Sequence, residues 1–481
     1  MIDGLKPYAE MKDSELCWLG DIPAHWRVKR AKAVLRRIDV RSSAGAEELL
    51  TVSSARGVVP RRTANVTMFQ AESYAGHKLC WPGDLVINSL WAWGKGLGVS
   101  QHHGIVSTAY GVYRARDASG ILPRYLHELV RSSPFHWELQ VRSKGVWISR
   151  LQLTDESFLN APLVVPPLDE QAAIVRFLDH ADRRIRLAIA AKQKLIKLLE
   201  EQKQAIIHRA VTRGLDPDVC LKPSGVAWLG DVPAHWEITR LGRLIKLTTG
   251  FPFKSDGFTH VDDDIRLMRG INVSPARLRW DNVVRWPMSE RPNFREYELI
   301  PGDIVLGMDR PIIQRGIRLA VVKEVDVPSL LLQRVARIRV RGDLNAEFAA
   351  LLLSGRNFAS YLAPIFTGIS VPHLSPEQIK AFRLALPRAE EQQKIVEDVT
   401  VRTGAIRSAI DRAEREIELL REYRTRLIAD VVTGKLDVRE AAARLPDEVE
   451  SAEPARDEFT ADEESDPIEV DDEAEIEGVA G

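Results

Sequence analysis

The 481-residue sequence contains only three cysteines, Cys17, Cys80 and Cys220, which lie far apart along the chain. This spacing argues against a disulfide framework or a cysteine-rich zinc site, and it fits the reducing conditions of a cytoplasm. The sequence has no apolar run of about 20 residues, so it predicts no membrane-spanning helix. The polar N-terminus does not have the pattern of a signal peptide.

The sequence also lacks the short motifs that accompany common enzyme activities. It has no GxxxxGK[ST] nucleotide loop, no Asp/Asn-Pro-Pro-Tyr/Phe tetrapeptide of amino-methyltransferases and no HExxH among its 11 histidines. Residues 94–98 read GKGLG, which lacks the GxGxxG spacing, and we interpret them as a loop that approaches a groove or a partner. We therefore expect no catalytic residue, no metal site and no cofactor site in this chain.

The formal net charge of −1 conceals an uneven distribution of charge. Residues 445–481 carry 16 acidic residues and one arginine, whereas residues 1–444 carry 66 basic and 52 acidic residues. The acidic, low-complexity tail is predicted to be disordered. The basic body favours a polyanionic partner, although many soluble proteins reach a comparable charge.

A nine-residue phrase occurs twice: residues 18–26 read WLGDIPAHW and residues 228–236 read WLGDVPAHW. Further matches follow in the same order, namely PGDLV at 82–86 with PGDIV at 301–305, PPLDEQ at 166–171 with PRAEEQ at 387–392, and VTRGLD at 211–216 with VTGKLD at 432–437. The chain is therefore an internal duplication. Two related modules suit a partner that also has two related halves, such as double-stranded DNA.

Each module is predicted to combine a mixed α/β region with a long helix. Short apolar runs predict strands at 84–88, 105–114, 304–307 and 333–340, and helical patches are predicted near 122–131 and 344–353. Long proline-free helices are predicted at roughly 169–213 and 390–433. Their apolar seams, spaced by four and three residues, consist of Ile174, Leu178, Ala181, Ile185, Ala188, Leu195, Leu199 and Ile206 in the first helix and Ile395, Val399, Ile406, Ala409, Ala413, Leu420 and Leu427 in the second. This spacing favours pairing of the two helices as a coiled coil over packing of each helix on its own domain alone.

The regions between the shared landmarks differ strongly and interleave basic, amide and aromatic residues with glycine. Side chains of these types address phosphates and base edges, although a single residue of this kind is more often a solvated surface residue than a base contact. His25 and His235, inside the repeated phrase, are interpreted as structural. The candidate DNA-binding residues are Ser89, Trp91, Lys95, Arg142, Lys144, Ser149 and Arg150 in the first module, and Lys254, Arg269, Asn272, Arg310, Gln314, Arg315, Ser370 and His373 in the second.

The order of these motifs, over about residues 14–440, resembles that of the specificity subunits of type I restriction-modification enzymes. The resemblance implies an α+β protein in which two α/β target recognition domains alternate with two long helices. These helices would pair as an antiparallel coiled coil with pseudo-twofold symmetry, followed by the disordered acidic tail. The expected segments are a first recognition domain at 1–167, a helix at 168–214, a second recognition domain at 215–388, a helix at 389–440 and the tail at 441–481.

The resemblance further implies a cytoplasmic, non-enzymatic protein that reads both halves of an asymmetric bipartite DNA target. Its expected partners are double-stranded DNA, two modification subunits that use S-adenosylmethionine to methylate adenine N6, and two restriction subunits that use ATP and Mg²⁺; no membrane partner is expected. Two other hypotheses stay open from the residues. One is a coiled-coil scaffold without sequence-specific DNA binding, and the other is an enzyme with an unrecognised active site.

Overall fold

The structure is a computed structural model that describes residues 5–64, 73–117, 119–145, 151–313, 316–366 and 372–446. The chain divides into two compact units, one comprising residues 1–190 and 416–481 and the other residues 191–415. Each unit combines one recognition region with a part of each long helix. Among the described residues, none of the helices has the length and apolar character needed to cross a bilayer.

The first unit contains twelve short strands in its described residues and four short α-helices before the first long helix. The strands are β1 (Met11–Asp13), β2 (Asp21–Pro23), β3 (Arg27–Arg30), β4 (Leu35–Arg37), β5 (Leu50–Ser53), β6 (Gly57–Pro60), β7 (Lys78–Cys80), β8 (Leu85–Asn88), β9 (Leu97–Val99), β10 (Gly104–Val106), β11 (Tyr110–Ala115) and β12 (Pro162–Val165). The helices are α1 (Ala31–Val34), α2 (Pro123–Arg131), α3 (Ser133–Arg142) and α4 (Asp155–Leu159), and the long helix α5 spans Leu168–Arg213.

The second unit repeats this arrangement with additional short strands. Its strands are β13 (Leu221–Pro223), β14 (Asp231–Pro233), β15 (Glu237–Arg240), β16 (Ile245–Thr249), β17 (Ile265–Met268), β18 (Val273–Ser274), β19 (Arg277–Leu278), β20 (Arg285–Trp286), β21 (Ile304–Gly307), β22 (Ile312–Ile313), β23 (Gly316–Ile317), β24 (Leu319–Val321), β25 (Ser329–Leu331), β26 (Val335–Val340) and β27 (Arg383–Leu386). Its short helices are α6 (Leu241–Leu244), α7 (Ala346–Ser354), α8 (Arg356–Leu362) and α9 (Pro376–Ala381), and the second long helix α10 spans Ala389–Val432. The short helix α11 (Arg439–Ala443) belongs to the first unit.

The central sheets of the two units have the same topology. The strand order is β4-β11-β8-β9 in the first unit and β16-β26-β21-β24 in the second, and all neighbouring strands are antiparallel. A separate antiparallel pair precedes each long helix, β3 with β12 in one unit and β15 with β27 in the other. The duplication seen in the repeated phrases therefore extends to the central sheet and to the strand pair before each long helix.

Most of the predicted short elements are confirmed. Strands β8, β21 and β26 and helices α2 and α7 occur where the apolar runs predict them. The prediction of one strand over 105–114 is wrong, because the structure has two strands, β10 and β11, separated by a turn in which Tyr110 N donates to Ser107 O at 3.0 Å. The polar residues Ser107 and Thr108 interrupt the apolar run and permit this turn.

Both long helices contribute to the hydrophobic cores, and they run antiparallel within each unit. Ile174, near the start of α5, shares the first core with Val431, near the end of α10. In the second unit, Val211 at the end of α5 shares the core with Ile395 at the start of α10. The same cores contain the fully buried tryptophans Trp26 and Trp236 of the repeated phrase. Helix pairing and packing of the helices on the domains thus occur together.

The apolar seam of α5 differs in phase from the predicted one. Leu195 is 47% exposed, and Ile207 is buried near the end of the helix whereas Ile206 is not, so the prediction is wrong at these positions. Isoleucines instead recur at a constant longer interval, at 174, 185, 196 and 207 in α5 and at 395, 406, 417 and 428 in α10. This interval corresponds to about 3.67 residues per turn, close to the straight helix, whereas a strict heptad drifts off the buried face.

Candidate nucleic-acid interface

The repeated phrase anchors each recognition region to the first turn of a long helix. In the first module, the Trp26 indole N–H donates to Glu170 Oε2 at 2.7 Å, and His25 Nε2 lies 2.6 Å from Glu170 Oε1. The second module makes the same contacts, from Trp236 and His235 to Glu391 at 3.0 and 2.9 Å. Both histidines therefore contact a helix carboxylate, in agreement with their interpretation as structural residues.

The glutamine that follows each of these glutamates ties the same helix turn to the main chain. Gln171 Nε2 donates to Pro166 O and Gly120 O at 2.8 Å, and its Oε1 accepts from Leu122 N at 2.8 Å. Gln392 repeats the pattern with Pro387 O at 2.9 Å, Asp343 O at 3.0 Å and Asn345 N at 2.8 Å. The shared P-x-x-[DE]-[EQ]-Q motif thus fixes the position of each helix relative to its own recognition region.

The shared Pro-Gly-Asp turn holds the central sheet. The buried Asp84 carboxylate accepts two hydrogen bonds from Arg114, at 2.7 and 2.8 Å, and one from Trp81 N at 2.9 Å. Asp303 binds Arg339 and Ile300 N in the same way. A bidentate pair of this kind fixes the relative position of neighbouring strands, here β8 with β11 and β21 with β26.

Within this common frame, the loops that follow β8 and β21 differ completely. We call residues 89–96 the first reader loop and residues 308–313 the second reader loop. Each begins with an equivalent contact, since Leu153 N donates to Ser89 O at 2.9 Å and Leu374 N donates to Met308 O at 2.8 Å. The frame therefore presents two unlike loops at the same strand end, each beside the segment around residues 152 or 373.

The first reader loop presents an aromatic ring. Trp91 is 39% exposed, and its ring lies over Gly94 and Gly96. A Cβ atom at Gly94 would lie 2.2 Å from the Trp91 indole nitrogen, so only glycine fits beneath this ring. Lys95 has a left-handed backbone (φ +63°), and burial, with a smaller contribution from Arg131, lowers the pKa of its ammonium group. The glycines of the GKGLG sequence therefore leave room for the Trp91 ring, which supports the interpretation of this sequence as a loop.

Arg142 and Lys144 lie at the end of α3 and just beyond it, and α3 packs against the turn at Ala92–Gly94 of the first reader loop. Lys144 is exposed and forms a β-bridge with Gln152. Arg142 binds Glu138 one turn earlier on α3, and Ser89 Oγ donates to Ala109 O at 2.9 Å. Lys144 and Trp91 are thus the more accessible of the candidates that the structure describes in this module.

In the second reader loop, two candidates come together. Arg310 is exposed, with a positive φ of 43° and its N–H donating to Pro372 O at 2.8 Å. Asp309 binds His373 Nδ1 at 2.6 Å through one carboxylate oxygen and Arg334 at 2.8 Å through the other. Burial raises the pKa of Asp309, but these two hydrogen bonds outweigh it and lower the pKa below its usual value. Asp309 is therefore an ionised carboxylate that orients the side chains of His373 and Arg334.

The remaining described candidates of the second module behave differently from one another. Asn272 is 2% exposed, and its amide binds Arg269 N at 2.9 Å and Arg279 O at 2.9 Å. The structure gives it an internal role, and its predicted DNA contact gains no support. Arg269 donates to Asn282 O at 2.8 Å, whereas Lys254 is exposed. The candidates Ser149, Arg150, Gln314, Arg315 and Ser370 lie outside the described residues.

Some residues near the reader loops escaped the sequence analysis. Asp309 binds both His373 and Arg334, and Trp137 and Val141 on α3 are 46% and 61% exposed. The sequence of α3 has apolar residues on both faces, and this signal could have revealed an exposed apolar patch. Among the described residues, no group of three or more His, Cys, Asp or Glu side chains is arranged to hold a metal ion.

No family model matches the chain. The chain is 26% identical over 302 residues to the type I restriction enzyme MjaVIII specificity subunit of Methanocaldococcus jannaschii, and the match covers 63% of this chain and 68% of that protein. It is 34% identical over 167 residues to the type I restriction enzyme EcoAI specificity subunit of Escherichia coli, and this match covers 34% of this chain and 28% of that protein.

A solved structure from a study of complex assembly and conformational transition of the type I R-M system shares the fold. Its TM-score is 0.56 at 16% identity, with 86% of this chain and 99% of that chain covered. The similarity in fold extends over nearly the whole of that chain, and both relatives by sequence are specificity subunits. In sequence the chain is therefore similar to specificity subunits of type I restriction enzymes, and it shares its fold with a solved structure of a type I R-M system.

Proposed function

We propose that this chain reads the two halves of an asymmetric bipartite DNA sequence, one half with each reader loop and its surroundings. The observation that carries the proposal is the presentation of two unlike loops at the same strand end of one duplicated frame. The first loop offers Trp91 and Lys95, and the second offers Arg310 beside His373. Arginine and histidine address base edges and phosphates, and an aromatic ring offers apolar contact.

The charge of the two recognition regions supports the same partner. Residues 27–165 contain 19 basic and 10 acidic residues, and residues 237–386 contain 22 basic and 16 acidic residues. Both regions are therefore basic in their own right, independently of the acidic tail. A positive surface attracts the phosphate backbone without regard to sequence, and the reader loops then supply discrimination between sequences.

Both relatives are named as subunits of type I restriction enzymes, so we extend the proposal to a complex with the other subunits of such an enzyme. The chain would position modification subunits, which use S-adenosylmethionine to methylate adenine N6, and restriction subunits, which depend on ATP and Mg²⁺. The chain itself would be non-catalytic and would bind no cofactor. Methylation by the highly purified chain alone would contradict this division of labour.

The test is a selection of bound duplexes from a randomised pool, with the full-length chain alone and together with the modification subunit of its own system. We expect two short motifs separated by a spacer of constant length. Bound duplexes without any enriched sequence would contradict the proposal and leave a coiled-coil scaffold as the explanation.

A matched pair of substitutions sharpens this test. Arg310→Ala removes an exposed arginine from the second reader loop, and Arg243→Ala removes an exposed arginine from α6 of the same unit. A base contact typically contributes about 1–3 kcal/mol of discrimination. We therefore expect Arg310→Ala to relax one half of the selected target and Arg243→Ala to leave both halves unchanged. Equal effects of the two variants would mean that the second reader loop has no special role.

A further inference from the structure

A single arginine clamps the end of the first reader loop. The Arg131 guanidinium, at the end of α2, donates to Leu97 O at 2.7 Å just beyond the loop and to Ser54 O at 2.6 Å in the β5–β6 turn. Its Nη1 also lies 3.5 Å from Lys95 O and 3.4 Å from Ser53 O. The side chain thus joins the loop that carries Trp91 and Lys95 to a second, separate turn.

An arginine also clamps the second reader loop. Arg318 lies between β23 and β24 and donates through Nη1 to Asp309 O at 3.2 Å. Its other nitrogens donate to Val273 O at 3.1 Å and to Gly270 O. The side chain thus joins the loop that carries Asp309 and Arg310 to the turn at Gly270–Asn272. In both units the guanidinium bridges the main-chain carbonyls of two segments that are distant in sequence.

The two arginines occupy positions that the duplication does not relate. Alignment of the two Pro-Gly-Asp turns places Arg318 opposite Val99. Alignment through those turns or through the later shared motifs places Arg131 opposite the apolar run at 350–352 of α7. Contacts of the shared frame, in contrast, are made by residues at corresponding positions. The same clamp therefore arises twice from unrelated positions inside the variable regions, which indicates that a rigid reader loop is needed in each module.

We propose that Arg131 and Arg318 are positioning residues that each set the sequence specificity of one half of the DNA target by holding one reader loop rigid. The proposal rests on the proposed function. A base contact depends on the placement of a side chain within fractions of an ångström, and a loop released from its clamp samples several placements. Neither arginine needs to contact DNA in order to act in this way.

The chemistry of the clamp requires arginine. A guanidinium is planar and presents five N–H donors in a fixed geometry, so it can serve carbonyls on two segments at once, whereas an ammonium is a compact point donor. Burial away from water lowers the pKa of Arg131 to about 10, and burial likewise lowers the pKa of Arg318. Arg131 stays protonated at neutral pH with its pKa at this value, so it keeps all of its donors.

The experiment compares Arg131→Lys and Arg318→Lys in the full-length chain together with the modification subunit, with the target of the wild type established first by selection from random duplexes. Discrimination is then measured with duplexes that carry single base changes in one half-site or the other. We expect Arg318→Lys to lower discrimination in one half-site by about fivefold or more, the lower end of what one good base contact contributes. Arg131→Lys should do the same in the other half-site.

The control is Arg337→Lys in the second unit. Arg337 is 1% exposed and donates to Glu296 O and Glu298 O at 2.8 Å and to Thr248 Oγ1 at 3.0 Å, so it is a buried arginine whose hydrogen bonds go to segments other than the reader loop. Its replacement should lower stability and total binding but leave the preference among bases in both half-sites unchanged. A merely structural role of Arg318 would produce this same pattern.

The outcomes separate the two proposals. If the wild type selects no sequence, the proposed function fails. If it selects a bipartite sequence and the preferences of both lysine variants match those of the wild type, the function stands and the positioning role is refuted. Relaxation of both half-sites by one substitution would also refute it. Should Arg318→Lys fail to fold, Arg318→Gln, which keeps a donor towards one segment, is measured in its place with the same expectation.

Discussion

Replacement of Glu170 by alanine should destabilise the first unit more than the corresponding change, Glu391→Ala, destabilises the second. The Glu170 side chain is 5% exposed and the Glu391 side chain 29% exposed. Besides its contacts with His25 and Trp26, the Glu170 carboxylate accepts from the Tyr8 hydroxyl at 3.2 Å and lies 3.4 Å from Arg439. Burial, together with Glu170, holds the pKa of Tyr8 well above its usual value, so the hydroxyl stays a donor.

The expected magnitude follows from the donors that lose their acceptor. A buried polar group left without a partner costs about 1–3 kcal/mol. Glu170→Ala leaves two such donors, the Trp26 indole N–H and the Tyr8 hydroxyl, without an acceptor. We therefore expect a loss of about 2–5 kcal/mol in the free energy of unfolding. Glu391→Ala leaves the Trp236 N–H without an acceptor, but the more exposed His235 stays accessible to water. We therefore expect a loss of about 1–3 kcal/mol in the free energy of unfolding.

Hydrogen exchange followed by mass spectrometry measures the two units separately, which a single unfolding curve of a two-unit chain does not. Glu170→Ala should accelerate exchange in residues 5–64 and also in residues 427–442, because the end of α10 and α11 share the core of the first unit. Glu391→Ala should act on residues 207–245 and leave those segments protected.

The glutamine variants serve as controls, since Glu170→Gln keeps an acceptor oxygen for Trp26 but removes the negative charge. Its effect should be smaller than that of Glu170→Ala. Equal destabilisation by Glu170→Ala and Glu391→Ala, or faster exchange spread evenly over both units, would refute the reasoning from stranded donors.

Three further predictions follow from the modules, the tail and a buried histidine. Exchanging Arg27–Val165 for the corresponding region of another family member should change one half-site in the selected DNA and leave the half read by 237–386 unchanged, because distant sites act almost independently; a change in both halves would contradict modular reading. Deleting residues 445–481, with their 16 acidic residues and one arginine, should raise affinity for random duplexes at low salt and lose this effect as salt rises; equal affinities at low salt would favour a purely solubilising tail. Burial lowers the pKa of His127 to about 3, well below its unfolded value of about 6.5, so its contribution to stability is complete above pH 6.5 and is lost as the pH falls towards 3. Replacing His127 with glutamine, which retains an acceptor for the Val99 N–H, should therefore reduce the difference in hydrogen exchange of the first unit between pH 7 and pH 4.5, and an unchanged difference would assign the acid sensitivity to other groups.

Several features could be predicted because they depend on local pattern. A long helix without proline and with a continuous apolar face can be recognised from its sequence alone, and the bounds of α5 and α10 lie within one residue of the predicted ones. The strand at Ile304–Gly307 was predictable from an apolar run bounded by an Asp turn and polar residues. The phase of the α5 seam was not recognised, because a heptad was assumed where the isoleucines follow a longer repeat.

The candidate site was predictable only as a set of residue types. Arg310 and His373 lie far apart in the sequence, and nothing in their local sequence indicates that Asp309 brings them together. Asn272 shows the opposite case, since an asparagine in a basic loop has the composition of a base reader but is occupied by internal hydrogen bonds. Composition reports what a side chain can bind, and only the packing around it decides whether its polar atoms remain accessible.

The sequence by itself determined that the chain is a duplication, that each copy combines a variable α/β region with a long helix, and that the body is basic and the tail acidic. These properties reside in repeats, periodicity and charge, which need no long-range contact. Tertiary structure alone decided that the end of α10 completes the core of the first unit, where the Tyr125 hydroxyl donates to Val432 O at 3.2 Å across 307 positions. It also decided that the tryptophan of each repeated phrase binds the first turn of a long helix. An apolar stripe shows which face of a helix is buried, but what covers that face depends on how distant segments pack together.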